Sequence, residues 1–272
     1  MKSLALPAAE TIQVGGQRIA YRSAGTGPPL LLLHGAWADS RVWRLQLEGL
    51  ADEFRVIAWD APGCGGSSDP SADLTLPDYA DAVAGFIRAL SIDPPHILGL
   101  SFGGGLAIEV ARRHPDLPRS LVLASAYAGW AGSLDPDVVE ARLRRALAEA
   151  DRPPEEWVRG YVPGFFAGPV SRELVAELVS VMLDARGAGI RPMAKALAGA
   201  DLRDALPGLT VPTLLLYGEL DERSPLEVAR DLHGRIPHAE LIVLHRVGHV
   251  SNIEDPAAFN ATVRRFLRSV GT

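Results

Sequence analysis

The chain has 272 residues, 47% of them hydrophobic and 22% charged, with a formal net charge of −6 at pH 7. That balance supplies a sizeable core, and the acidic excess argues against a nucleic-acid partner, because phosphate binding draws on clustered Lys and Arg. The single cysteine, Cys64, cannot close an internal disulfide. No segment reaches the ~20 consecutive apolar residues of a membrane helix. The first residues, MKSLALPAAE, hold no apolar run long enough for a signal peptide. A soluble cytoplasmic protein with neither nucleic-acid nor membrane partners is the expectation.

The chain opens with TIQVGGQRIAYRSAG (11–25), two alternating apolar segments joined at Gly15-Gly16, the pattern of a β-hairpin. Short continuous apolar runs follow, as expected of strands buried on both faces of a parallel sheet. They are PLLLLHG (29–35), FRVIAWD (54–60), PHILGLS (95–101), SLVLASA (120–126), PTLLLYG (212–218) and AELIVLH (239–245). Helical patterns lie between several of them. LPDYADAVAGFIRALSI (76–92) has Pro77 and Asp78 in its first turn, and GGLAIEVARRHPD (104–116) ends in basic residues and Pro115. Strands alternating with helices predict a doubly wound α/β sheet. The rhythm breaks once, between residues 127 and 211, where amphipathic runs at 135–150 and 171–186 are separated by Pro- and Gly-rich joints. The expected organisation is an α/β core of residues 1–126 and 212–272, with 127–211 as an all-helical insertion.

Ser101 lies between a buried strand and a helix, in LGLSFGGG (98–105). The pattern Gly99-x-Ser101-x-Gly103 suits a tight turn that exposes the hydroxyl, with the glycines letting strand and helix pass closely. The competing reading is a serine that merely caps the helix. A serine is a poor nucleophile without a base and a group that orients the base. Of seven histidines, His249 in RVGHVSNIEDP follows the last strand in a Gly-containing loop, at the edge where parallel sheets place their sites. His34 ends an upstream strand, and His96 opens the serine's own strand at the wrong end. His245 and His249 are four apart, but the run is strand-like and no acidic third ligand is suitably spaced, so no metal is expected.

For the acid, LLLYGELDERSP places Glu219, Asp221 and Glu222 after a strand. Asp221 gives the order Ser, Asp, His that a strand–turn–helix serine site requires, while Asp60 is assigned to its own DAPGCGGSS loop. An alkoxide forming on an ester carbonyl needs two N–H donors. Phe102, next to the serine, and Ala36, in the HGAW loop, are the candidates, with Trp37 walling the pocket.

These features together resemble the α/β-hydrolase superfamily over nearly the whole chain. The resemblance is carried by LLLLHGAW, DAPGCGGSSDP, LGLSFGGG, LLLYGELDERSP and VGHVSNIEDP. Within it, GLSFGG, DLRDALPGLTVPTLLLYGELDERSP and GHVSNIEDPAAF are similar to 3-oxoadipate enol-lactonases and the broad esterases like them. The resemblance implies an α/β-hydrolase fold: a mostly parallel eight-stranded sheet flanked by helices, with a helical cap inserted after strand 6. It also implies a cofactor-free serine hydrolase of small carboxylic esters or lactones, with catalytic Ser101, Asp221 and His249 and an oxyanion hole at Ala36 and Phe102. Enol-lactonases usually carry Arg where this chain has Ala61. Other roles on the same scaffold are a ligand receptor, a perhydrolase, or a carbon–carbon or cyanohydrin-cleaving enzyme. Trp37, Trp130, Phe165 and Phe166 are candidate pocket residues. Arg142, Arg144 and Arg145 read as a solvated helix face, so the pocket is expected to prefer neutral esters and simple lactones.

Overall fold

In the computed structural model residues 6–271 are described, so the first half of the stretch read for a leader lies outside the described residues. The hairpin forms as its glycines dictate. Gly15 and Gly16 both have positive φ, +55° and +82°, and join β1 (Glu10–Val14) to β2 (Gln17–Ala24) with Val14 opposite Gln17. Consecutive left-handed residues give a two-residue turn whose twist matches the strands. The remaining strands are β3 (Pro29–Leu33), β4 (Arg55–Trp59), β5 (His96–Leu100), β6 (Ser120–Ala124), β7 (Thr213–Gly218) and β8 (Glu240–Leu244). Their order in one sheet is β1-β2-β4-β3-β5-β6-β7-β8. β2 runs antiparallel to both neighbours, and the other pairings are parallel. Every residue of β5, β6 and β7 is buried. β8 departs from the expectation of burial on both faces: it is the sheet's edge, and Glu240 and Val243 are exposed.

Helices cover the sheet. α1 (Arg44–Gly49) and α2 (Leu76–Ala89) precede α3 (Phe102–Arg113), which leaves Ser101 directly. α2 starts where predicted because Thr75 and Asp78 form a reciprocal capping box, with the Thr75 N–H donating to Asp78 at 2.8 Å. Between β6 and β7 lie α4 (Pro136–Glu149), α5 (Arg172–Leu183) and α6 (Gly187–Gly199), with short 3₁₀ turns between 154 and 164 and at 203–208. α7 (Leu226–Arg235), α8 (Ser251–Glu254) and α9 (Pro256–Val270) complete the chain. Among the described residues no helix is long and apolar enough to cross a membrane.

At one corner the insertion meets the rest of the chain backbone to backbone. A Cβ added to Gly63 (φ +85°) would lie 2.5 Å from the Cα of Gly189, so both positions need glycine for the backbones to touch. Beside this contact Arg186 donates to the Asp69 carboxylate (2.8 Å) and to the carbonyls of Gly65 (2.8 Å) and Ser67 (2.9 Å). Arg41 pairs with Asp184 at 2.8 Å and Arg44 with Glu177 at 2.5 Å. Cys64 is buried in the crevice that this loop shares with Val181, Ile190 and Met193 of the insertion.

Candidate active site

Ser101 has φ 53° and ψ −109°, a region that side chains rarely enter. The packing around it explains why. A Cβ on Gly99 would meet the Gly103 carbonyl oxygen at 2.0 Å, and one on Gly103 would meet the Leu33 carbonyl oxygen at 2.0 Å. The ends of β5, β3 and α3 are therefore in backbone contact, and the chain reverses within one residue. The Ser101 side chain makes no capping hydrogen bond to α3, which removes the helix-cap reading. Its backbone N–H donates to the Ala124 carbonyl at 2.9 Å instead.

The loop after β3 lies against this turn: a Cβ on Gly35 would sit 3.6 Å from the Ser101 Cβ. Buried His34 holds the loop. The Ala61 N–H donates to its Nε2 at 3.0 Å, so the ring proton lies on Nδ1, 2.7 Å from the Gly35 carbonyl oxygen. Burial pushes this imidazole's pKa down. Among the described residues the N–H groups of Ala36 and Phe102 meet no acceptor. Asp60 joins its own loop to the segment after β3, accepting from the N–H groups of Gly66 and Ser40 at 2.8 Å each.

The histidine and the acid meet. His249 Nδ1 lies 2.9 Å from Asp221 Oδ2 and 3.0 Å from Oδ1, both side chains being almost wholly buried. Gly218 allows their loops to touch, since a Cβ there would strike the Val247 and Gly248 carbonyls within 2.3 Å. Asp221 also accepts from the backbone N–H groups of Arg223 and Ser224 at 2.9 Å each. Burial alone would raise its pKa, but the His249 charge and hydrogen bond and the Ser224 N–H outweigh it and hold the carboxyl below its ordinary value. Glu219 is engaged elsewhere, with the Arg246 N–H (2.9 Å) and exposed His245 (2.6 Å). His96 is buried against the Ser120 hydroxyl at 2.7 Å, and burial pushes its pKa down to about 4. Two supports escaped the sequence reading. Ser125 (φ +46°) donates its hydroxyl to the His249 carbonyl at 3.1 Å, and the Glu254 carboxylate accepts from Gly248, Ala167 and Gly168, fastening the His249 loop to the insertion.

Ser101 and His249 line one cavity of about 290 Å³. Ala36, Trp37, Trp130 and Phe165 also line it. Phe166 does not, because its backbone packs on Gly248, where a Cβ would lie 3.0 Å from the Phe166 carbonyl carbon. The Phe165 ring stacks on His249, with centroids 6.2 Å apart and planes at 19°.

Residues 30–262 match the model of the alpha/beta hydrolase family. The chain belongs to that family. An alpha/beta hydrolase of this kind has named relatives. The pimeloyl-[acyl-carrier protein] methyl ester esterase of Vibrio campbellii is 31% identical, across 90% of this chain and 97% of that protein. A thermophilic esterase from Thermogutta terrifontis superposes with a TM-score of 0.87 at 29% identity, covering 97% of this chain and all of that one. The enol-lactonase from Burkholderia xenovorans LB400 gives a TM-score of 0.86 at 28% identity, covering 95% and 100%.

One expectation for this alpha/beta hydrolase is overturned. Arg142 does not share a solvated face with Arg144: it is half-buried and lines the cavity together with Arg223, while Arg145 also borders the cavity but stays exposed as expected. The helix turns 100° per residue, so positions 142 and 145 share a face while 144 points elsewhere. Arg144 remains 72% exposed.

Proposed function

We propose that this alpha/beta hydrolase cleaves carboxylic esters or lactones through an acyl-enzyme, with Ser101, His249 and Asp221 as its triad. The observation that carries the reading is the buried Asp221–His249 pair opening into the same cavity as an uncapped, backbone-strained Ser101. Ser101 Oγ attacks the carbonyl carbon while His249 Nε2 accepts its proton. Asp221 holds the His249 tautomer with Nδ1 protonated and stabilises the imidazolium. The carbonyl oxygen becomes an alkoxide against the N–H groups of Ala36 and Phe102, each worth about 3 kcal/mol in such a position. His249 then protonates the leaving alcohol, water enters, and the same steps release the acid.

The esterase and enol-lactonase relatives support this substrate class, and the insertion roofing the cavity fits a cap that excludes water. The test is hydrolysis of p-nitrophenyl acetate and butyrate. Many turnovers per chain are expected, with Ser101→Ala reducing kcat by ~10⁴-fold or more while the protein stays folded. A single stoichiometric burst, or wild-type activity in Ser101→Ala, would overturn the reading.

A further inference from the structure

Three guanidinium groups face the cavity that holds Ser101. Arg145 is offset: its Nε donates to Glu149 at 2.7 Å and its carbon lies 4.2 Å from the Tyr161 ring centroid. Tyr161 donates its hydroxyl to the same buried Glu149 at 2.5 Å. The other two have no such partner. Arg142 donates to the Tyr127 hydroxyl (3.2 Å) and the Arg223 carbonyl (3.0 Å), and lies 5.7 Å from the Tyr127 and Trp130 rings. Arg223 donates Nε to the Gly164 carbonyl at 3.1 Å and is flanked by the rings of Tyr161 (4.8 Å) and Phe165 (4.4 Å). Among the described residues neither has a carboxylate at ion-pair distance; the acid that lines the cavity, Glu222, is solvent-exposed.

We infer that Arg223 and Arg142 form a carboxylate-binding subsite, and that the preferred substrate is the half-ester of a short dicarboxylic acid or a carboxylate-bearing lactone. Guanidinium groups resting on aromatic faces have lost water without gaining an anion, and a planar carboxylate offers them paired, charge-assisted hydrogen bonds. Burial and the neighbouring Arg142 and Arg145 charges depress the Arg223 pKa, the direction expected of cations held together without an anion. The subsite is also correctly placed. Arg223 and His249 both lie against the ring of Phe165, so an acyl chain with its ester carbonyl at Ser101 can direct a distal carboxylate toward Arg223. This rests on the ester-hydrolase reading and reverses the preference for neutral substrates expected from the sequence.

Monomethyl and dimethyl glutarate share one carbon skeleton and differ in charge, so the ratio of their kcat/KM values, followed by acid release, isolates the subsite. The half-ester is expected to be preferred by roughly 10- to 100-fold, the scale of a hydrogen bond to a charged group. Arg223→Met and Arg142→Met should each collapse this ratio, Arg223→Lys should retain part of it, and Arg144→Gln should not change it. Calorimetry of glutarate binding to Ser101→Ala gives a readout independent of turnover, and Arg223→Met in that background should weaken it at least tenfold. A ratio near one that the arginine variants do not move would overturn the subsite while leaving ester hydrolysis intact. If neither these esters nor the p-nitrophenyl esters are turned over, the hydrolase reading fails, and the binding experiment decides alone: glutarate binding lost with Arg223→Met supports the subsite, and no binding overturns it.

Discussion

At Ser101 the chain accepts a backbone conformation that costs on the order of 1–3 kcal/mol, and no side-chain capping bond to α3 returns that energy. Strain of this kind persists where surroundings enforce it, here the glycine contacts on both sides. Asp221 is the residue whose assignment most needs a test, because two glutamates share its loop. Asp221→Asn should leave His249 in the wrong tautomer and cut kcat by up to ~10⁴-fold, whereas Glu219→Gln, occupied with Arg246 and His245, should stay within a few-fold. The same aspartate has a pH signature. Its carboxyl is held below the usual value in the folded protein, so its stabilisation is complete above the unfolded value of about 3.9 and is lost as pH falls through the folded one. On acidification below about pH 4, the difference in melting temperature between wild type and Asp221→Asn should therefore shrink. A difference that grows on acidification would contradict the assigned direction. The strand-end positions of Ser101, Asp221 and His249 were readable from sequence because each follows a buried or edge run that the pattern marks as a strand. Ser125 and Ser224 were not, since their roles come from partners that only the fold brings near.

Among the elements, the glycine contacts at the β5–α3 junction set the clearest expectation. Gly103→Ala drives a methyl into the Leu33 carbonyl, while Gly208→Ala meets nothing within 4 Å. Overpacking of a rigid site costs about 1–3 kcal/mol or more, so Gly103→Ala should lower the denaturant midpoint markedly and Gly208→Ala hardly at all. Equal effects would mean the junction can relax. Buried strands were legible because a run such as LLLL has only one comfortable place in an α/β protein. The error at β8 is instructive: ELIVL looks like its neighbours, but an edge strand is covered on fewer sides, and no local pattern says which strand is last. α6 was hidden for another reason. Gly187, Gly189 and Pro192 weaken its helical signal, and the use of Gly189, contact with Gly63, lies more than 120 residues away in the chain.

At the scale of the whole molecule, the insertion is held partly by ion pairs that face solvent: Arg41–Asp184, Arg44–Glu177 and Arg186–Asp69. Pairs of this type are worth about 0–1 kcal/mol each and weaken with ionic strength. Hydrogen exchange of α5 amides should consequently quicken between about 50 mM and 1 M NaCl, while α3, buried against the central strands β3, β5 and β6, should not change. A uniform response would show that the insertion does not open independently. The spacing of Arg142 and Arg145 already placed them on one face, but only the assembled molecule reveals that this face borders the cavity that holds Ser101.

Cys64 gives that motion a chemical clock. It is the chain's one thiol, and it sits in the crevice between the loop after β4 and the insertion, where burial and the nearby Asp39 and Asp60 charges raise its pKa and suppress the thiolate. An alkylating reagent can reach it only when the two sides part, so its labelling rate counts openings rather than averaging structure. The native protein therefore carries its own single-site reporter, and no engineered label is required to test whether the insertion opens at this crevice.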